Sequence, residues 1–386
     1  MDEAKGFALS DMGSEITYVP LETTENSLIS KYPHVAIWKD RIVVTSNKQP
    51  LLVFDKKSGH FLNQIGHLGD SPGSIQSDGW GGMPFWIDQA NGNVYLWSVG
   101  YQGLVRYSID GEYLGTCKLD VALQKKLYLP ACALSISGDT VHVHQKEGKE
   151  NSFYICSFDG QTGCLIDTIP SSVPLVALGD VQEVGYWYNS YLAGGGVGTF
   201  TLYYKNGERY RYSSTAPTLW EYKGKQYFKE AFVDTIYTIA SSALIPDKIL
   251  DLGKWTWPIE ERFRSEGSDS RIYINYAYEN DLGIYFHLHT GYYENTNAKN
   301  LPFCAFYNKW TGETMVLSGK TIPDDIDNFL SISIRNVSSE GEWIGLLEAS
   351  DIVERLHNDE QEMPSSLRRI FESLTDDSNP VVVIVK

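Results

Sequence analysis

Between Leu51 and Gly73, LLVFDKKSGHFLNQIGHLGDSPG, apolar positions alternate at strand period on both sides of Lys57-Ser58-Gly59, which predicts a hairpin. The second arm rises through Phe61, Leu62 and Ile65 and breaks at Gly66, Gly69, Pro72 and Gly73, where glycine takes positive φ and proline fixes its own. The pattern returns roughly fifty residues on as LVRYSIDGEYLG from Leu104, and more weakly as SFYICSFDGQTGCLIDTI. A strand pair precedes each copy: PHVAIWKDRIVVTS, PFWIDQANGNVYLW and LSISGDTVHVHQ. Four strands per copy at this period predict the blades of a β-propeller, the first three between Pro33 and Ile169.

Three further blades follow the same logic. TLWEYKGKQYFKE, FVDTIYTI and LIPDKILDLGK predict the fourth, and RIYINYAYE, LGIYFHLH, FCAFYNKW and ETMVLSG the fifth. FLSISIR and EWIGLLE open the sixth. Two strands then stand without a hairpin partner, EITYVPL at 15–21 and NPVVVIVK at 379–386. An unpaired edge invites association, so the two ends are expected to share the last blade, with the N-terminal strand outermost and three strands from the C-terminal region. Residues 24–32 lead into the first blade. Between Ser350 and Thr375 the apolar residues fall at helical spacing around Pro364, predicting a two-helix insertion with Ser350 as its cap.

The region 171–212 fits the ring less directly. Ser171 to Tyr188 reads as loop, Gly194-Gly195-Gly196 as a break, and TFTLYYKNGERYRYSS as a hairpin turning at Asn206-Gly207. It is either an elaboration of blade three or a seventh blade. The expected fold is therefore all-β, a six-bladed propeller of four-stranded antiparallel blades forming one domain over 1–386, with seven blades as the alternative.

Charge and cysteine content restrict function more than fold. The net charge is −17, with 49 Asp and Glu against 32 Lys and Arg, and no basic stripe interrupts it. Such a surface repels nucleic acid and anionic lipid heads. No run of apolar residues is long enough for a transmembrane helix. Of five cysteines no two are spaced C-x-x-C. A Cys156–Cys164 bridge across the Asp159-Gly160 turn is conceivable, with buried free thiols the favoured reading.

With these segments in place the chain resembles the NHL-like six-bladed propellers that gut bacteria encode in many copies as predicted secreted lipoproteins. SEITYVPLETTENSLI, LLVFDKKSGHFLNQIGHLGDSPGSI, FVDTIYTI with LIPDKILDLGK, and DDSNPVVVIVK carry the likeness. Asp70-Ser71-Pro72-Gly73 departs from the family's usual glycine-proline-glycine loop. The resemblance implies an extracytoplasmic protein, lipid-anchored in its full-length form, which would account for the polar start MDEAKGFALSDMG.

Candidate chemistry is sparse. His142 with His144, and His287 with His289, each occupy one strand face and could ligate zinc, but a packed, hydrogen-bonded role is favoured. The run Pro323-Asp-Asp-Ile-Asp-Asn328 offers oxygen ligands for calcium but lacks the EF-hand glycine and glutamate, so a capped turn is favoured. No nucleophile elbow or P-loop is present, and no cofactor is expected. Aromatic clusters in loops are more suggestive: Trp80; Tyr186, Trp187 and Tyr188; Trp255 and Trp257; Tyr292 and Tyr293. Trp80, Tyr186 to Tyr188, Tyr292 and Tyr293 are expected to share one rim of the channel and to hold an uncharged or cationic ligand. The expected function is a monomeric, non-catalytic binding or scaffold protein for a glycan, peptide or protein partner. The alternative is a metal-dependent lactonase- or lyase-like enzyme, which needs donors converging on the channel.

Overall fold

The computed structural model describes residues 5–31, 33–69, 71, 73–75, 85–98, 103–119, 133–147, 152–170, 181–192, 195–215, 218–229, 233–240, 243–261, 270–290, 301–358 and 365–386. An N-terminal arm carries β1 (Ile16–Pro20). Blade one follows as β2 (His34–Trp38), β3 (Arg41–Thr45), β4 (Leu51–Asp55) and β5 (Phe61–Ile65). After a short parallel pair, β6 (His67–Leu68) and β7 (Ser74–Ile75), blade two is β8 (Phe85–Ile87), β9 (Val94–Ser98), β10 (Gly103–Tyr107) and β11 (Tyr113–Lys118). Blade three is β12 (Ala133–Ser137), β13 (Thr140–Glu147), β14 (Ser152–Asp159) and β15 (Leu165–Pro170).

A separate three-stranded sheet comes next: β16 (Val181–Leu192), β17 (Gly195–Tyr204) and β18 (Arg209–Thr215). Blade four comprises β19 (Thr218–Tyr222), β20 (Lys225–Lys229), β21 (Thr235–Ala240) and β22 (Ala243–Ile249). Blade five comprises β23 (Tyr273–Glu279), β24 (Gly283–Thr290), β25 (Leu301–Asn308) and β26 (Thr314–Ser318). Blade six takes β27 (Ile334–Val337), β28 (Trp343–Leu347) and, after helices α1 (Ala349–Asn358) and α2 (Ser365–Phe371), β29 (Val381–Val385).

The ring closes as the orphan strands require. The last sheet has the order β1-β29-β28-β27, with β1 antiparallel to β29 along all five of its residues. Six apolar clusters, one at each interface between successive blades, show that the ring is complete. β29 explains why VVVIV carries no polar position. Val381, Val383 and Val385 pack with Tyr285 and Phe306 of blade five, while Val382 and Ile384 pack with Val35, Ile42 and Phe54 of blade one. A blade strand buried on both faces loses the polar alternation of a half-solvated sheet.

Side-chain locks reinforce the closure. Asn379, buried, donates through Nδ2 to the carbonyls of Glu22 (2.7 Å) and Ser27 (2.8 Å) and accepts from the Ile29 amide (2.9 Å). The Trp343 indole donates to Met12 O at 3.0 Å. Across the junction of blades six and one, Glu342 meets Lys56 at 2.6 Å and the C-terminal residue Lys386 at 3.0 Å. Burial opposes the Glu342 charge, yet the hydrogen bonds from Lys56, Lys386 and Ser338 hold its carboxyl below the usual range.

Several expectations need correction. The seven-blade alternative fails because β16, β17 and β18 form their own sheet beside six complete blades. β16 also converts much of the loop expected over Ser171 to Tyr188 into strand. Ser350 does not cap a helix, since α1 begins at Ala349 and places it inside the first turn. The first strand of blade six starts at Ile334, later than FLSISIR suggests, and Ile332 makes only an isolated bridge with Ile322. Cys156 and Cys164 are free, as favoured, but Cys164 is exposed and not buried. Cys156 lies opposite Thr168, out of register with Cys164, and burial pushes its thiol up to about 11.

The acidic run is a capped turn. Asp324 accepts from the amides of Ile326, Asp327 and Phe329, each at 3.0 Å, and from the Tyr18 hydroxyl at 3.2 Å. Asp325 accepts from Ser10 N and Oγ. These carboxylates therefore tie the N-terminal arm to the connection between blades five and six.

Candidate functional site

The two ends of the ring differ in construction. One end carries the turns between the first and second and the third and fourth strands of each blade. Three of these repeat one device: Asp55, Asp159 and Asn308 each accept backbone amides two and three residues on, and Gly59, Gly163 and Gly312 follow at φ +73°, +74° and +73°. The left-handed position after Asp159 is thus Gly163, not Gly160. The hydrogen bonds from Ser58 and Thr162 hold the Asp55 and Asp159 carboxyls below their ordinary range. Such turns are closed structural units.

The opposite end carries the connections between middle strands and between blades. These include the stretch from β5 to β8, the stretch from β15 to β19 that contains the extra sheet, the β22 to β23 connection and the helical insertion. The extra sheet approaches the inner strands of four successive blades, with β16 near β8, β17 near β12 and β19, and β18 near β23. It therefore lies across the channel at the end where these inner strands begin. Long and irregular connections concentrate here, as expected of a functional face built on a rigid scaffold.

The inner strands of blades five and six add a feature that the alternation conceals. In β23 the register with β24 shifts between Ile274 and Tyr276, and in β27 the register with β28 shifts between Ile334 and Asn336. Asn275 and Arg335 are the extra residues, and a bulge re-aims such a side chain out of the regular pleat. Asn275 is buried, and its Nδ2 donates to Nδ1 of His287 at 3.1 Å, which places the ring proton on Nε2. The His289 ring stands 4.9 Å from that of His287. Alternation turns Ile284, Phe286 and Leu288 toward blade four, so His287 and His289 share with Tyr285 the face toward blade six.

Arg335 completes this wall from the other side. Its neighbour Asn336 donates through Nδ2 to Val35 O at 3.0 Å, which fixes β27 against the start of β2, where His34 precedes Val35. Burial, aided by the Arg335 charge, lowers His34 to about 3. Burial, with His289, Lys320 and Arg335 nearby, lowers His287 to about 3. Both imidazoles are neutral at physiological pH, while Arg335 and Lys320 are exposed and charged.

The sequence-derived candidates separate. Trp80, Tyr292 and Tyr293 lie outside the described residues. Tyr186, Trp187 and Tyr188 belong to strand β16, opposite Phe200, Thr199 and Gly198 of β17, and not to a loop. Trp257 is buried, and half-buried Trp255 packs with Leu250 and Leu252 against the core between blades four and five. His142 does not converge with His287 and His289. His142 faces away from the cluster between blades two and three, is buried and shares a hydrogen bond with Ser157 Oγ at 2.9 Å, whereas His287 faces blade six. The side chain of His144 lies outside the described ones.

Burial lowers His142 to about 4. Replacing His142 and His144 together is expected to cost about 1 to 3 kcal/mol in chemical denaturation, the range for lost buried polar contacts. Elemental analysis should detect no metal lost with them; release of a stoichiometric ion would contradict the packed role. His34, Asn275 and Arg335 have no sequence signature, because a bulge alters the period by one residue and looks like noise in a strand.

The comparisons bear on fold and family. The sequence profile described as "Domain of unknown function (DUF4934)" matches residues 1–386. The crystal structure of a "Putative exported protein" from Bacteroides fragilis NCTC 9343 is similar to this chain at a TM-score of 0.65 and 14% identity, covering 100% of this chain and 98% of its own. At that identity the likeness concerns the fold. A member of the duf4221 family from Bacteroides vulgatus ATCC 8482 gives a TM-score of 0.49 at 11% identity, over 97% and 96% of the two chains. No curated protein matches the chain.

Proposed function

The chain belongs to the DUF4934 family, and from that premise we propose that it is a non-catalytic binding protein of the extracytoplasmic space, a rigid monomeric ring that holds a glycan, peptide or protein partner at the elaborated end of its channel. The observation that carries this reading is the pair of bulges at Asn275 and Arg335 on the neighbouring inner strands β23 and β27, the first of which β18 of the extra sheet approaches. Bulges concentrate next to functional sites, where they redirect a side chain at some expense in sheet regularity. Sealed turns at the other end leave that face a structural role.

The placement outside the cytoplasm rests on the resemblance to gut-bacterial secreted propellers and on the "Putative exported protein" among its structural likenesses. Lipid anchoring of the full-length protein is part of the same proposal. A lactonase- or lyase-like metal site has less support, because His142 and His287 face different blade interfaces.

The test is intrinsic tryptophan fluorescence against a panel of glycans and peptides. Some member should shift the emission, and Trp80→Ala with Trp187→Ala should weaken that response while leaving the melting curve in place. A response indifferent to both substitutions would remove the aromatic rim from the proposal, and no response across the panel would count against binding altogether.

A further inference from the structure

At the sealed end of the channel, blades three and four bring together a carboxylate and a carboxamide that lack complementary partners. Glu221, near the end of β19, is half-buried, and no lysine, arginine or histidine among the described residues pairs with it. Lys223 in the following turn is engaged with Asp281 at 3.1 Å. Gln226 on β20 is only 5% exposed. Its Nε2 donates to Glu221 Oε2 at 3.1 Å and to Ile136 O of β12 at 3.4 Å, while its Oε1 is buried with no partner among the described residues. Blade two adds a second charge, since β8 and β19 both approach β12 and Asp88 directly follows β8. Asp88 is held in place by accepting from Ala90 N at 2.9 Å and Asn91 Nδ2 at 2.8 Å. Burial, and then the Asp88 charge, raise the Glu221 carboxyl. A buried amide oxygen without a donor and a half-buried carboxylate without a cation are each costly, and one hard cation relieves both.

We propose that the Glu221 carboxylate, Gln226 Oε1 and the Ile136 carbonyl bind a calcium ion that ties the inner strands of blades three and four together, with Asp88 supplying a second negative charge. A half-turn of the Gln226 amide puts Oε1 in the place of Nε2, which stands 3.1 Å from the Glu221 oxygen and 3.4 Å from Ile136 O. Oxygens that share a calcium ion at about 2.3 to 2.6 Å lie about 3 to 3.5 Å from one another, so these separations match two edges of a calcium polyhedron. The donors are all hard oxygens, which suit calcium and not zinc. No cluster of three His, Cys, Asp or Glu side chains lies among the described residues, so the site carries little charge and its Kd belongs in the weak range of extracellular modules, about 10⁻⁴ to 10⁻³ M. Magnesium demands shorter, octahedral bonds and keeps its waters, so it fits less well. The ion lies at the opposite end of the channel from the partner-binding face and does not depend on it.

Calorimetric melting of the intact protein tests this after dialysis against a chelator and return to buffers of equal ionic strength. Calcium chloride at roughly 10 mM should raise Tm by about 2 to 3 °C, saturably, and magnesium chloride clearly less. Glu221→Gln should abolish the calcium response and, because it removes an uncompensated charge, should melt no lower than the parent in the absence of calcium. Gln226→Leu should weaken the response several-fold, and Asp110→Asn, in an exposed turn of blade two, should leave it intact. Isothermal titration with calcium chloride reads the site without reference to stability, and should give one ion per chain in the parent and none in Glu221→Gln. Absence of calcium binding in the parent would overturn the site and leave water as the partner of Gln226 Oε1. Equal stabilisation by magnesium, or a calcium response unchanged in Glu221→Gln, would overturn it as well.

Discussion

Removal of residues 1–23 should leave a protein that is insoluble or melts far below the intact chain. The segment carries β1, which covers all five residues of β29. It also carries Phe7, Leu9, Met12, Tyr18, Val19 and Leu21, all buried. At about 1.5 to 3 kcal/mol per buried apolar side chain, their loss alone is on the order of 10 kcal/mol, comparable with the whole stability of a typical domain. The deletion also leaves Trp343 Nε1 without its acceptor at Met12 and Asn379 without the Glu22 carbonyl. The new edge would be VVVIV, an uncharged β-branched strand of the kind that pairs between molecules. Differential scanning calorimetry and light scattering report both effects. A truncated protein that stays monomeric and melts where the parent does would contradict the closure by β1.

The second large effect is acid lability beginning near pH 6.5. His34 and His287 are lowered to about 3 and His142 to about 4, each chiefly by burial. A folded-state value below the unfolded one means that the unfolded chain takes up the proton first, so stability is full above about pH 6.5 and declines as pH falls toward the folded values. Each such histidine costs up to about 1.4 kcal/mol per pH unit in that window, or about 2 to 4 kcal/mol per unit for the three together. Asp234, Glu221 and Asp327, raised by burial, pull the other way as they protonate. The diagnostic interval is therefore pH 6.5 to 5, above the ordinary carboxylate range. Denaturation midpoints should fall steeply across it, and His142→Gln with His287→Gln should flatten the fall. A midpoint independent of pH over that interval would show that these rings are not held neutral by the fold.

The blades were legible because their physics is local. Alternation, an Asx or Gly turn and an orphan strand at each end suffice to predict six sheets and the closure, and Leu51 to Gly73 contains most of that grammar. NPVVVIVK even announces burial on both faces. The extra sheet was only half legible: TFTLYYKNGERYRYSS reads as a hairpin, and Gly207 takes φ +87° at its turn, but its placement against four inner strands depends on contacts remote in sequence. The candidate site was the least legible part. His287 and His289 stood out by their spacing, while Asn275 hid inside RIYINYAYE, Arg335 inside a strand whose start was misjudged, and His34 as an isolated residue. Only the bulges and the ring geometry bring them together.

The central claim is that the elaborated end of the channel, and not the end with sealed turns, is where a partner binds. Hydrogen–deuterium exchange measured with and without the panel member that shifts tryptophan emission tests this most directly. Added protection should concentrate in peptides covering 76–84, β18, the start of β23, 287–301 and the start of β27. Protection centred instead on the turns at 39–40, 55–60, 159–163 and 308–312 would contradict it.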